Sequence, residues 1–348
     1  MSTQKPLKHS EPGPPPPPVA LIQLTTGGWI SQAVYVAAKL GVADMLKDGP
    51  KDCGEIAEAT QTDHRSIRRL LRLLASVGVF AETSDGQFEL TPMAECLKSD
   101  GPYSMRAWAT MMGEVWHWHM WGELLYSVRT GKPAFDHVHG ARPFEYFPRN
   151  PEAARLFDEA MTSLSVPEVG AILASYDFSN CRKVVDVAGG NGSLITPLLK
   201  TNPETTAVLF DLPHVIERAK GRIEGEGLTG RCELVGGDFF MGAPAGGDLY
   251  ILKHIIHDFD DGDALRILRN CRSAMSGEAR LLVIEMVIPP GNEPSFGKLV
   301  DIEMMLIGGV GRTEAEYRTL LTEAGFKLTN VTPTNSPVSI IESVPTHT

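Results

Sequence analysis

The stretch Val184-Val185-Asp186-Val187-Ala188-Gly189-Gly190-Asn191-Gly192-Ser193-Leu194 decides the fold. A short apolar run of buried-strand character ends in a glycine turn, and the residues after the turn open a helix. Close glycines let the backbone approach a ligand where a side chain would intrude, and the strand-turn-helix setting lifts such a match above chance. The spacing predicts the first unit of a parallel sheet that binds a nucleotide-like ligand. A dinucleotide fingerprint would put a third glycine where Ile195 stands, so the pyrophosphate reading weakens.

Acidic residues punctuate the neighbouring strands. Asp186 sits just before the turn, and the apolar run Ala207-Val208-Leu209-Phe210 ends in Asp211. Two carboxylates at one mouth favour a cationic ligand. S-adenosylmethionine carries a sulfonium, an ammonium and a ribose diol; Asp186 suits the positive end and Asp211 the ribose hydroxyls. From these residues alone, a purely structural turn and an NAD site are the alternatives. A third strand pattern from Cys232 leads to Gly237-Asp238-Phe239-Phe240. There Asp238 can accept from the adenine amine while Phe239 packs on the purine face. A fourth, Asp248 to Lys253, is followed at once by His254-Ile255-Ile256-His257-Asp258. Ligands of open parallel sheets bind beyond the carboxyl ends of the strands, where these histidines fall.

The ordered set resembles the caffeic acid type of plant O-methyltransferase and its bacterial relatives, which use S-adenosylmethionine. It comprises Asp186 to Gly192, Phe210-Asp211-Leu212-Pro213-His214-Val215, Gly237-Asp238-Phe239-Phe240, Leu252-Lys253, His257-Asp258-Phe259-Asp260-Asp261, Glu285, and Gly308-Gly309 followed by Arg312-Thr313. The likeness covers nearly the whole chain beyond an N-terminal tail. It implies methyl transfer to a hydroxyl of a small aromatic substrate, with His257 as general base and Glu285 orienting it. Asp186, Gly189, Gly190, Gly192, Asp211, Asp238, Phe239 and Lys253 would surround the cofactor. Phe157 and Met161 would line the substrate pocket, and His254 would face the same cleft as a reserve base. Two places depart from the pattern. Gly311 stands where an acid usually precedes the Arg-Thr pair, which predicts a weaker base and gives weight to relatives that catalyse hydroxylation or pericyclisation instead. Ala188 replaces a usual glycine.

Length and composition set the frame. A chain of 348 residues predicts two domains. A net charge of −11 and a pI near 5.4 oppose adhesion to nucleic acid or anionic membranes. Cys53, Cys96, Cys181, Cys232 and Cys271 form no CxxC pair, so reduced thiols and no metal site are expected. No secretory leader or membrane span is legible, and a cytoplasmic enzyme is expected.

The proline-rich residues 1–18 are expected to form a disordered tail. Residues 19–100 read as a mainly helical winged-helix domain, which the resemblance assigns to dimerisation. The stretch from Ala20 to Leu46 is apolar on more than one face, as in the seam of a homodimer. Arg65, Arg68, Arg69 and Arg72 on the second helix of the winged outline keep a DNA-binding regulator as a rival. Residues 101–176, rich in Met and aromatics, are expected to be a helical linker and substrate cap, with His117 and His119 as packing or polar pocket residues. Residues 177–348 alternate strands and helices, predicting an α/β catalytic domain with a doubly wound, Rossmann-like class I methyltransferase sheet and an antiparallel ending.

Overall fold

Residues 15–346 are described in the computed structural model, which divides into two units, one ending at Glu114 and the other beginning at Val115. The expected tail lies outside the described residues through position 14. Its last prolines do not belong to it: Pro17 and Pro18 form the first turn of helix α1 (Pro17–Thr25), where a missing N–H has no intrahelical partner to lose.

The first unit continues with α2 (Gly27–Leu40), α3 (Val42–Met45), α4 (Cys53–Thr60), α5 (His64–Ser76), strands β1 (Phe80–Glu82) and β2 (Phe88–Leu90), α6 (Pro92–Glu95) and α7 (Arg106–Gly113). Asp52 and Glu55 form a capping box at α4, and Asp63 caps α5 by accepting from the Ser66 N–H. Ile56, Leu71, Leu74, Phe80 and Phe88 form its fully buried centre. This is the expected winged outline, with Arg65, Arg68, Arg69 and Arg72 on the solvent side of α5. No residue of α1 is buried, and Leu21, Ile22, Leu24 and Trp29 are 60–78% exposed. One expected boundary shifts. The stretch read as a single linker from 101 is split, because α7 packs on α2 and Arg106 bonds Asp44 and the Ala38 carbonyl.

The second unit opens with α8 (Val115–Gly122), α9 (Leu124–Thr130), α10 (Ala134–His139), α11 (Pro143–Tyr146) and the 25-residue α12 (Pro151–Ser175). Then come β3 (Lys183–Val187), α13 (Ile195–Thr201), β4 (Thr206–Asp211), α14 (Pro213–Gly225), β5 (Cys232–Gly236) and β6 (Leu249–Lys253). A 3-10 turn (Ile256–Asp258) leads to α15 (Asp261–Ala274), β7 (Arg280–Glu285), α16 (Phe296–Ile307), α17 (Glu314–Glu323), β8 (Phe326–Pro333) and β9 (Ser339–Pro345).

The seven strands lie in the order β5-β4-β3-β6-β7-β9-β8. The first five are parallel and β9 is antiparallel to both β7 and β8. Val184 to Val187 are all buried, as a central strand covered by helices on both faces requires. One face is closed by Ile267, Leu268, Leu320 and Leu321 of α15 and α17, the other by Ile172, Leu198 and Ile223 of α12, α13 and α14. The strand order reverses at β3, so the crevice beyond its carboxyl end is where such a sheet binds ligands. No helix of the described residues is long and apolar enough to cross a membrane.

Candidate active site

Five strand ends build the site. At β3, Asp186 is buried and its Oδ2 has no hydrogen-bond partner. Burial pushes its pKa up to about 7, against the pull of Lys253. Gly189 makes this approach possible, since a Cβ there would lie 2.5 Å from the Asp186 carboxyl and from Leu209. Ala188 takes φ +57 in the same turn, a left-handed conformation that costs an alanine about 1 kcal/mol. Gly190 and Gly192 also have positive φ, and the Gly190 N–H donates to Asp211 Oδ2 at 2.9 Å. At the end of β4, Asp211 Oδ1 accepts from Leu212, and burial raises its pKa although these N–H groups oppose the shift. A carboxylate has about four acceptor positions, so Asp211 retains capacity for hydroxyls.

Beyond β5, Asp238 is exposed and caps its own turn by accepting from the Phe240 N–H. Phe239 packs edge-on against Phe240 and Phe259. At the end of β6, Lys253 Nζ lies 3.1 Å from Ser165 Oγ and 3.2 Å from Glu168 Oε2, both on α12. The same helix reaches the glycine turn through Thr162, which accepts from Asn191 at 3.3 Å. Phe157 and Met161 lie one turn apart on α12, both half-buried, with Phe157 stacked on Phe147.

His257 sits in the 3-10 turn after β6, facing the end of β7. Its Nδ1 is 2.5 Å from Glu285 Oε2, and its backbone N–H donates to Glu285 Oε1 at 3.2 Å. A carboxylate only accepts, so Nδ1 carries a hydrogen in either charge state, and Nε2 is the nitrogen that gains or loses its proton. Asp258 Oδ1 lies 3.4 Å from that Nε2. Burial disfavours charge on His257, but Glu285, Asp258 and the more distant Glu168 outweigh it and raise the pKa to about 9. Glu285 is fully buried. Burial alone would raise its pKa, yet His257 and His254 hold it far below the usual carboxylate range. Asp258 is raised to about 6, chiefly by burial. With a glycine at 311, the support of the histidine falls to Glu285 first and to Asp258 after it.

The Gly-Gly and Arg-Thr pairs prove to be the cradle of that turn. Val310 N–H donates to the His257 carbonyl at 2.8 Å, and a Cβ on Gly309 would sit 2.2 Å from the same oxygen. Arg312, 2% exposed, donates to the carbonyls of Ile256, Phe259 and Val310 and to Asp261. Gly311 has no room for an acid. Its N–H bonds Asp301, and a Cβ would lie 2.8–2.9 Å from Asp301 and Ile288. Thr313 and Glu316 form a capping box at the start of α17.

His254 takes φ +56. Its Nε2 is 2.8 Å from Glu168 Oε2 and its Nδ1 is 3.8 Å from Glu285 Oε2. His254, His257 and Glu285 offer three ligand-type atoms within 4.8 Å, the one such group among the described residues. Two of those residues, His257 and Glu285, are already hydrogen-bonded to each other. Sequence reasoning missed Glu168, Ser165, Asp258 and the work of Arg312. Only the helical register of α12, with polar groups at 158, 162, 165 and 168, carried a signal for the first two. His117 is buried against Glu303, which also accepts from Trp121, while His119 is exposed.

An unsatisfied buried carboxylate oxygen beside a turn too tight for a Cβ, with a second carboxylate one strand away, fits the sulfonium, ammonium and diol of S-adenosylmethionine. Comparison with known proteins agrees. Residues 121–327 match the O-methyltransferase domain and residues 22–100 the O-methyltransferase dimerisation domain. The chain is 44% identical over 326 residues to phenazine O-methyltransferase PhzM of Lysobacter antibioticus, covering 93% of this chain and 95% of that one. The crystal structure of LaPhzM superposes with a TM-score of 0.90 at 43% identity, covering 95% and 99%. A neocarzinostatin O-methyltransferase, crystallised with S-adenosylmethionine and 2-hydroxy-5-methyl naphthoic acid, superposes with a TM-score of 0.78 at 34% identity, covering 90% and 95%. The helical winged segment with its four arginines is thus of the dimerisation type, and the chain belongs to the O-methyltransferase family that uses S-adenosylmethionine.

Proposed function

We propose that the protein methylates a hydroxyl of a small aromatic secondary metabolite and that His257 removes the hydroxyl proton. The observation that carries this reading is the His257–Glu285 pair, set at the carboxyl ends of β6 and β7, in which Glu285 engages Nδ1 and leaves Nε2 as the nitrogen that exchanges a proton. S-adenosylmethionine supplies the methyl group, carried on a sulfonium that an oxygen nucleophile attacks. Asp186 and Asp211 hold the positive and diol ends, Gly189, Gly190 and Gly192 admit them, and Asp238, Phe239 and Lys253 complete the surround. Phe157 and Met161 present a flat apolar wall to the ring. His257 takes the proton on Nε2, and Glu285, hydrogen-bonded at Nδ1, stabilises the imidazolium. His254 has both ring nitrogens turned to carboxylates, which favours a supporting place over that of a second base. The enzyme works as a cytoplasmic homodimer joined through its first unit.

The test begins with a panel of phenolic and heteroaromatic acceptors scored by mass for one added methyl. His257→Ala should then lower turnover of an un-ionised phenol by roughly two to four orders of magnitude, with S-adenosylhomocysteine binding by calorimetry nearly intact. Full activity in that variant would remove the base role. An absence of transfer across the whole panel would favour a non-methylating reaction.

A further inference from the structure

We propose that Glu168, acting through His254, is a positioning residue that reserves Glu285 for His257. The inference rests on the reading of His257 as the base, and it concerns which hydrogen each ring carries. Glu168 lies on α12, outside the sheet, and is 4% exposed. A buried carboxylate persists only where it is paired, and Glu168 Oε2 faces His254 Nε2 at 2.8 Å and Lys253 Nζ at 3.2 Å. Lys253 is held from the same helix by Ser165. His254 is fixed on its other side: its N–H donates to the Ile284 carbonyl and its backbone is left-handed, a conformation that non-glycine residues adopt when their surroundings impose it.

The result is a ring standing between two buried carboxylates. Glu168 can only accept, so His254 Nε2 must donate; in the neutral ring Nδ1 then carries no hydrogen and faces Glu285 at 3.8 Å. That separation exceeds a hydrogen bond. Glu285 Oε2 therefore accepts from His257 alone, at 2.5 Å. Without Glu168, His254 is free to carry its hydrogen on Nδ1 and compete for the same oxygen. Loss of the Glu168 charge acts in the same direction, since it is among the groups that raise the His257 pKa. The other charged or titratable groups facing the pair are Lys253 from β6, Asp258 from the turn and Glu285 from β7, with Asp186 of β3 behind Lys253 and Tyr317 of α17 behind Glu285.

Nuclear magnetic resonance of histidine-labelled full-length protein tests this without substrate. In the parent chain, ring nitrogen shifts above the His257 midpoint should show His254 as the Nε2–H tautomer and His257 as the Nδ1–H tautomer. A His254 hydrogen on Nδ1 would overturn the proposal and needs no variant to detect. In Glu168→Leu, which removes both the charge and the acceptor, the His257 titration midpoint should fall by about half to one pH unit, and the double variant Glu168→Leu with His254→Asn should recover part of that shift because the competitor is gone. Asparagine tolerates the left-handed backbone at that position. An unmoved midpoint in folded Glu168→Leu would also overturn it. The base reading fails separately, by full turnover in His257→Ala with these tautomers still observed.

Discussion

Glu285 keeps a charge at a fully buried position because two histidines and a backbone N–H surround it, and this arrangement sets the pH response of the fold. The His257 pKa rises from 6.5 to about 9 on folding, so its contribution to stability is complete below pH 6.5 and disappears as the pH climbs through 9. Glu285 moves the other way. Its contribution is present above 4.5, its ordinary value, and is lost as the pH falls through the lowered folded one. Stability from this pair is therefore greatest between 4.5 and 6.5. Calorimetric melting of the ligand-free chain should fall from pH 6.5 to 9, and in Glu285→Gln that fall should shrink. Asp186, which titrates near 7, contributes to both chains and cancels in the comparison. Equal slopes would contradict the assignment. At this scale the sequence revealed what is local: an acid or histidine at the end of an apolar run is visible as such. Glu168 was not, because its partners His254 and Lys253 stand more than 80 residues away and a polar position on a helix looks like any solvated one.

The turn that carries His257 shows what happens one level up. Ile256 to Asp258 is a single 3-10 turn, too short to hold itself, and its carbonyls are taken by Arg312 and the Val310 N–H from the segment between α16 and α17. The Gly-Gly and Arg-Thr pairs were legible as a family mark, but their physical purpose appeared only when the two segments were seen in contact. Gly309→Ala tests that purpose. Its Cβ would meet the His257 carbonyl at 2.2 Å, so the turn must shift. Overpacking of this kind costs about 1–3 kcal/mol, and a displacement near 1 Å at the base is worth about 10²-fold in rate. Turnover should fall by about that factor while S-adenosylhomocysteine affinity holds, because Asp211 and the glycine turn lie on other strands. Parent-like turnover in a folded variant would show that the loop merely closes the sheet. The split of the 101–176 stretch illustrates the same limit: helical periodicity marks α7 without saying that its partner is α2.

For the whole molecule, a doubly wound sheet with an antiparallel ending followed from the alternation of apolar runs with helices, whereas the surface of the first unit poses a different problem. Leu21, Ile22, Leu24 and Trp29 expose most of their area on α1 and at the start of α2, and nothing in α1 is buried within the chain. Contiguous apolar surface of this kind on a soluble protein marks an interface, and the segment falls within or beside the matched dimerisation domain, residues 22–100. Two copies that bury these side chains gain what one cannot, at about 25 cal/mol per Å² of apolar area removed from water. Light scattering at micromolar concentration should give twice the 37.8 kDa chain mass. Leu24→Glu combined with Trp29→Glu places two carboxylates where the partner would have to desolvate them, a cost of several kcal/mol, and should shift the mass to that of a single chain. The fully buried centre of the first unit, Ile56, Leu71, Leu74, Phe80 and Phe88, contains neither position, so its cooperative melting should survive the change. A dimer of unaltered mass and stability in the double variant would place the interface elsewhere on the chain.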